Sequence, residues 1–326
     1  MSEALGTTPA EEFAEDGPRR VLIDATGHPD TVDGAHRVSA DALALLRRLL
    51  PLQDTELVWI TRDSVTARPG DRAGGLAGAP LWGLLRAARQ EHPEAVLRVV
   101  DCDRVDAASL LPALSVTGEP ELAVRDGEIL APRLTPAGAP GATTATVADG
   151  TVLVTGGTGD LGATVARHLV TEHAVRDLVL TSRRGPDSPR AGELVAELTE
   201  AGARSVRVVA CDVTDRAQVA AVLATADDWS AVLHLAGVLD DGLLLDYDER
   251  RLHAVLAPKL DGAAHLAELT AGLGLSAFVL FSSVAATLGS AGQGAYAAAN
   301  ACLDQLAAGS GGTSLAWGLW EQAAQA

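Results

Sequence analysis

Lysine is nearly missing from this chain of 326 residues: Lys259 is the single one, and the other 24 strong bases are arginines. An ammonium is a compact point charge and a guanidinium a planar fork, so a chain that builds its surface from arginine has no solubility reason to keep one lysine. Aromatic residues are scarce at 3%. Cysteine is rare as well: Cys102, Cys211 and Cys302 have neither paired nor metal-type spacing. They read as small apolar residues in a reducing compartment, which excludes a disulfide framework and gives no metal site. Long apolar runs are absent, so no membrane span is expected. The opening residues are acidic and polar with no apolar stretch, unlike a signal peptide. Positive charge is also short: the formal net charge is −18. That argues against nucleic acid and anionic membrane surfaces as partners. The expected setting is the cytoplasm.

What is present is alternation of strand and helix signals. Residues 1–18 read as a disordered lead-in. Short β-branched runs follow at Val21–Thr26, Leu57–Thr61 and Val96–Val100. Between them lie helical patterns at Ala40–Leu50 and Leu81–Gln90, the second entered through a Gly-rich turn at 74–78. This is the pattern of a parallel sheet. Asp126-Gly127 between two apolar runs signals a hairpin. No glycine-rich phosphate loop occurs in this half, so 19–134 reads as a Rossmann-like domain without a cofactor. Residues 135–150 have linker composition.

The second half, 151–326, opens on the strand Thr151–Thr155. Gly156-Gly157-Thr158-Gly159-Asp160-Leu161-Gly162 and a helix from Ala163 follow directly. Strand, glycines and helix in that order make a dinucleotide site, because glycine lets backbone N–H groups approach a pyrophosphate. Gly156, Thr158, Gly159, Leu161 and Gly162 are the candidate contacts. Asp160 is out of place beside a pyrophosphate unless it points away. The next strand, Leu178–Thr181, ends in Ser182-Arg183-Arg184. NAD calls for an acid near this point, whereas arginines suit a 2′-phosphate, so these residues favour NADPH. His234 sits in an apolar run and reads as a packing histidine.

A third stretch, Phe281–Asn300, carries the chemistry. An apolar strand ends in Ser282-Ser283. A Gly-rich loop leads to an Ala-rich helix with Tyr296 and Asn300 four residues apart, hence on one face. Lys259, Ser283, Tyr296 and Asn300 at these spacings resemble the ketoreductase domains of modular polyketide synthases, within the short-chain dehydrogenase/reductase superfamily. Simple members carry Tyr-x-x-x-Lys; Tyr296-x-x-x-Asn300 with an upstream lysine is the exchanged arrangement of the synthase ketoreductases.

The resemblance implies an α/β fold of two Rossmann-like subdomains. A truncated structural one is followed by a doubly wound parallel-sheet catalytic one. It implies that Asp212 and Val213 contact the adenine, and that Ala236-Gly237 pass close to the ribose. Leu239-Asp240-Asp241 matches the tripeptide of B-type reductases, which give a D-hydroxyl. Leu288 stands where the A-type has tryptophan, and Ala298 where an epimerising subtype has proline. The implied reaction is NADPH-dependent reduction of a β-ketoacyl chain on an acyl carrier protein, among other synthase domains in cis. Tyr296 is the proton donor and Ser283 a second hydrogen-bond donor. Lys259 is the ammonium beside phenol and ribose, and Asn300 the holder of a water. Two departures are expected. The first sheet lacks an edge strand. Gly309–Gly312 reads as a flexible linker in place of helix and loop, with no lid helix after Trp320. The competing readings are a non-catalytic structural domain and a free-standing reductase of small ketones.

Overall fold

The computed structural model describes residues 19–52, 54–71, 74–136, 147 and 149–320. The lead-in expected at 1–18 and most of the expected linker lie outside the described residues. The described residues group into two compact units. One holds those before 138 together with Asp241–Leu252 and Ala285–Ala301; the other holds the rest.

In chain order the first half contains β1 (Arg19–Asp24), α1 (Val32–Leu49), β2 (Thr55–Arg62), α2 (Ala79–Glu91), β3 (Val96–Cys102), α3 (Ala107–Ser115), β4 (Glu121–Arg125) and β5 (Glu128–Leu130). The strands form one sheet in the order β1-β2-β3-β4-β5, with β1 at its edge among the described residues. Four strands are parallel and β5 returns antiparallel on β4. The return is the Asp126-Gly127 turn, where φ is +50° and +83°, the left-handed pair that a tight hairpin requires. One face of the sheet buries Val58, Ile60, Val100, Leu122 and Val124 against Leu110 and Leu114 of α3.

Two expectations need correcting here. Helix α1 starts at Val32 rather than near Ala40. The Thr31 hydroxyl accepts from the Gly34 N–H and caps a first turn that has no apolar stripe of its own. Helix α3 was not expected at all: it is short and has Pro112 inside, and it is started by Asp106, which accepts from the Ser109 N–H.

The second half contains β6 (Thr151–Thr155), α4 (Asp160–Glu172), β7 (Asp177–Ser182), α5 (Ala191–Glu200), β8 (Ser205–Ala210), α6 (Arg216–Leu223), β9 (Trp229–His234), α7 (Glu249–Thr270), β10 (Ala277–Ser283), α8 (Val284–Leu288), α9 (Gly294–Ser310) and β11 (Thr313–Trp317). The sheet runs β8-β7-β6-β9-β10-β11, parallel throughout. Numbered from β6 this is the 3-2-1-4-5-6 order of a doubly wound fold, with its switch point between β6 and β9. Successive strand residues point to opposite faces, which splits the core. Val152 and Val154 pack with Leu169 and Val170 of α4 and Leu194 and Leu198 of α5. Leu153 packs with Val219 and Val222 of α6 and Leu266 of α7.

The expected flexible linker at 309–312 is a turn. Helix α9 includes Gly309 and Ser310, and Gly311 takes φ +70°. The Gly312 N–H then donates to the Ala307 carbonyl at 3.0 Å. This is a Schellman closure, and it delivers the chain directly into β11 beside β10. Among the described residues, no helix is long and apolar enough to cross a membrane.

Candidate active site

The cleft at the switch point grows from the turn after β6. Gly156 has φ +66°, and a Cβ there would lie 3.1 Å from the Ala236 backbone nitrogen. A Cβ on Gly162 would lie 2.3 Å from the Gly156 carbonyl oxygen, so only glycine lets α4 sit this close to its own loop. Gly159 precedes α4 with no side-chain cap, which leaves first-turn N–H groups for a ligand. Asp160 is exposed as the first residue of α4, where the positive end of the helix favours an acid.

A cleft of about 720 Å³ collects Gly156, Thr158, Gly159, Leu161 and Gly162 from this loop. Ser182 and Arg183 line it from the end of β7, Asp212 and Val213 from beyond β8, and Ala236 and Gly237 from beyond β9. Arg184 is not on the wall; it is exposed and leads into the turn Gly185–Asp187. Of the predicted nucleotide residues, all but Arg184 and Lys259 line this one cleft.

Two polar ties support the cleft, and the sequence reading missed both. The Thr155 hydroxyl accepts from the Leu235 N–H at 3.1 Å and the Ala236 N–H at 3.2 Å. Its own hydrogen is then directed at His234 Nδ1, 2.7 Å away. His234 is fully buried, and its pKa is pushed down to about 3, first by burial and then by the ammonium of Lys259. It is a neutral packing histidine, as its apolar run suggested. The second tie is Ser188, which lies 2.8 Å from the Ser182 hydroxyl and accepts from Thr158 at 3.2 Å, fastening the arginine turn to the glycine loop. A threonine closing an apolar strand just before the glycines is a legible signal; Ser188, in a surface turn, has none.

Lys259 lies in α7, directly after Pro258, and is 5% exposed. Its Nζ donates to the Phe281 carbonyl at 2.9 Å, and its Cε would be 3.1 Å from a Cβ on Gly237. The lysine therefore spans from the end of β9 to the end of β10, two residues before Ser283. Burial pushes its pKa down to about 8. Ser283 is half-buried as the last residue of β10.

Tyr296 and Asn300 fall in the other compact unit, on the first turns of α9. Asn300 is fully buried, and its Nδ2 donates to the Tyr296 carbonyl at 2.8 Å. Asp241 is in that unit too, whereas Leu239 and Asp240 fall in the unit that holds the cleft, outside its lining. The Gln293 amide faces both Asp241 carboxylate oxygens at 3.4 Å. Gln293 escaped the sequence reading although it stands only three residues before Tyr296. Among the described residues no group of His, Cys, Asp and Glu could hold a metal.

Residues 150–322 match the family model described as KR domain. Residues 2–134 match the Rossmann fold domain of polyketide synthase extender module SpnB. Polyketide synthase GfsA of Streptomyces halstedii is 49% identical over 301 residues, 89% of this chain and 4% of its own length. The chain spans only a small part of the curated relatives it matches, 8% of spectinabilin polyketide synthase system protein NorA' and 16% of NorA, both of Streptomyces orinoci. Among solved structures, the ketoreductase PlmKR1, from the first module of phoslactomycin biosynthesis in Streptomyces sp. HK803, superposes with a TM-score of 0.84. It is 36% identical, over 98% of this chain and 76% of that one.

Proposed function

The chain belongs to the ketoreductase domains of modular polyketide synthases. From that premise we propose that it uses NADPH to reduce the β-keto group of an acyl thioester on an acyl carrier protein. The product is a D-configured β-hydroxyl with the α-carbon unepimerised, made in the bacterial cytoplasm alongside other synthase domains of the same polypeptide. The observation that carries the reading is Lys259. The one lysine of the chain is buried against Gly237 of a glycine-rich cleft, with its ammonium at the strand end that leads to Ser283.

The residues present fit a phosphorylated dinucleotide. Gly162 lets α4 close onto the glycine loop, where a Cβ would meet the Gly156 carbonyl, and the uncapped first turn of α4 offers donors to a pyrophosphate. Two exposed arginines and no acid stand just beyond β7, where a 2′-phosphate needs them. NADPH supplies the hydride when bound. The chain supplies the rest. As negative charge develops on the ketone oxygen, the Tyr296 phenol donates its proton there and the Ser283 hydroxyl donates a second hydrogen bond. The Lys259 ammonium holds the ribose and adds positive charge to the site. Asn300 orders the water from which the tyrosine is reprotonated. Leu239-Asp240-Asp241 and the absence of tryptophan at Leu288 support entry of the substrate in the B-type orientation.

The test is incubation with NADPH and a racemic α-methyl β-keto diketide thioester, followed by chiral chromatography. A D-hydroxyl with an intact α-centre is expected. An L-hydroxyl refutes the B-type orientation and leaves the reductase standing. Bound NADPH with no product makes the chain a non-catalytic brace. A preference for NADH refutes the arginine argument.

A further inference from the structure

Glu91 is the last residue of α2, the end of a helix where the dipole disfavours a carboxylate. Its two oxygens are used separately. Oε2 accepts from the Leu244 N–H at 2.7 Å, and Oε1 from the Gly292 N–H at 3.0 Å. Leu244 opens a one-turn 3-10 helix whose preceding residue, Leu243, offers no side-chain cap, so Glu91 satisfies that donor from a distant element. Gly292 precedes Gln293 and the helix of Tyr296. One carboxylate thus joins the loop of Asp241 to the loop that leads into the tyrosine helix.

Among the described residues the two loops are also joined by an isolated parallel bridge between Gly242 and Gln293 and by side-chain contacts. Gly242 N–H donates to the Gly292 carbonyl at 2.8 Å, and the Gln293 amide reaches Asp241 only at 3.4 Å. The helix that carries Glu91 is itself fixed to the same stretch. Arg86 donates to the Ala286 carbonyl at 2.6 Å while forking onto Glu121. A Cβ on Gly83 would lie 2.2 Å from the Ala297 carbonyl oxygen, so backbone meets backbone next to Tyr296. Glu91 therefore acts from a rigid support.

We propose that Glu91 is a positioning residue for the choice of ketone face: its carboxylate holds the Asp241 loop and the Tyr296 loop in one register, so that the substrate chain enters in one orientation. The proposal rests on the reductase reading above. It also gives the cofactor-free half of the chain a task in catalysis, performed by a residue that touches neither substrate nor nucleotide.

The experiment compares the wild-type chain with Glu91→Ala and Glu91→Gln; the glutamine keeps the size and one acceptor and guards against a misfolded alanine variant. Removal of a charge-assisted bond corresponds to about tenfold. In Glu91→Ala the minor hydroxyl epimer and the KM for the keto thioester each rise about tenfold, by more than kcat falls. The Kd for NADPH is unchanged, because the nucleotide cleft shares no residue with the clamp. Glu91→Gln falls between. Amide hydrogen exchange quickens in peptides covering 241–246 and 289–295 and stays unchanged in 156–162. If folded variants of an active wild type keep the wild-type epimer ratio and KM, or exchange at the wild-type rate, the clamp is refuted and the reductase stands. If the wild type itself oxidises no NADPH with a keto thioester, the reductase reading falls and takes face selection with it.

Discussion

Replacing Lys259 by methionine separates what the site costs in stability from what it does. The ammonium is buried, with its pKa pushed down from 10.5 to about 8 by burial. At about 1.4 kcal/mol per pKa unit, the folded protein disfavours the charged amine by roughly 3 kcal/mol relative to the unfolded chain. The folded pKa lies below the unfolded one, so the unfolded chain binds the extra proton between pH 8 and 10.5. Stability therefore rises with pH through that window, and below pH 8 the whole penalty is present. Methionine fills similar space without charge and gives up the bond to the Phe281 carbonyl, worth about 1.5–3 kcal/mol to a charged donor. At pH 7 the two nearly cancel, so Lys259→Met is expected within about 1.5 kcal/mol of the wild type, on the stable side.

The assay is urea unfolding of both proteins at pH 7, 8 and 9, read as the difference between them at each pH. Burial also pushes up the thiols of Cys102 (to about 12), Cys211 (to about 11) and Cys302. Their contribution is complete below the unfolded thiol pKa and is lost as pH rises above it; being common to both proteins, it cancels in the difference. From pH 8 to 9 the wild type gains about 1 kcal/mol on the variant. Turnover falls at least about a hundredfold. The reasoning fails if Lys259→Met loses more than about 3 kcal/mol at pH 7, or if the difference does not change with pH.

The neutral, buried His234 contributes stability that is complete above pH 6.5 and is lost as the pH falls towards about 3, at about 1.4 kcal/mol per unit. Unfolding at pH 7 and 5 should show the wild type losing roughly 2 kcal/mol more than His234→Gln; equal losses would contradict this. Gly162→Ala should cost about 1–3 kcal/mol and abolish the fluorescence enhancement of bound NADPH, because its methyl meets the Gly156 carbonyl. The control Gly192→Ala, in α5 with open space around it, should stabilise by about 0.5–1 kcal/mol. Gly311→Ala forces φ +70° on a residue with a Cβ and should lower stability by about 1 kcal/mol; an unchanged Tm would rule out the left-handed closure of α9.

The local signals in the sequence translated directly into structure where one segment settles its own conformation. Thr151–Thr155, the glycines and α4 are such a segment, and so is the Asp126-Gly127 hairpin. Where local chemistry was ambiguous the reading was incomplete. Composition alone makes Gly309–Gly312 a linker; the close approach of Gly312 to Phe278 and the pairing of Thr313 with Val279 make it a helix stop. Pro258 inside α7 breaks the local helical pattern next to Lys259, yet packing of Leu252, Leu256, Leu260 and Leu266 buries the helix regardless.

The residue types of the candidate site and their spacing were determined by the sequence itself, because each depends on neighbours within a turn or a strand. The environment of those residues was decided only in three dimensions. The burial that lowers the Lys259 pKa comes from strands and helices closing around it. The two partners of Glu91 lie 153 and 201 residues away along the chain. Periodicity and motif spacing report on a few residues either side of a position; a carboxylate that reaches two distant backbone amides leaves no local pattern, since what selects it is the donors brought to it by folding.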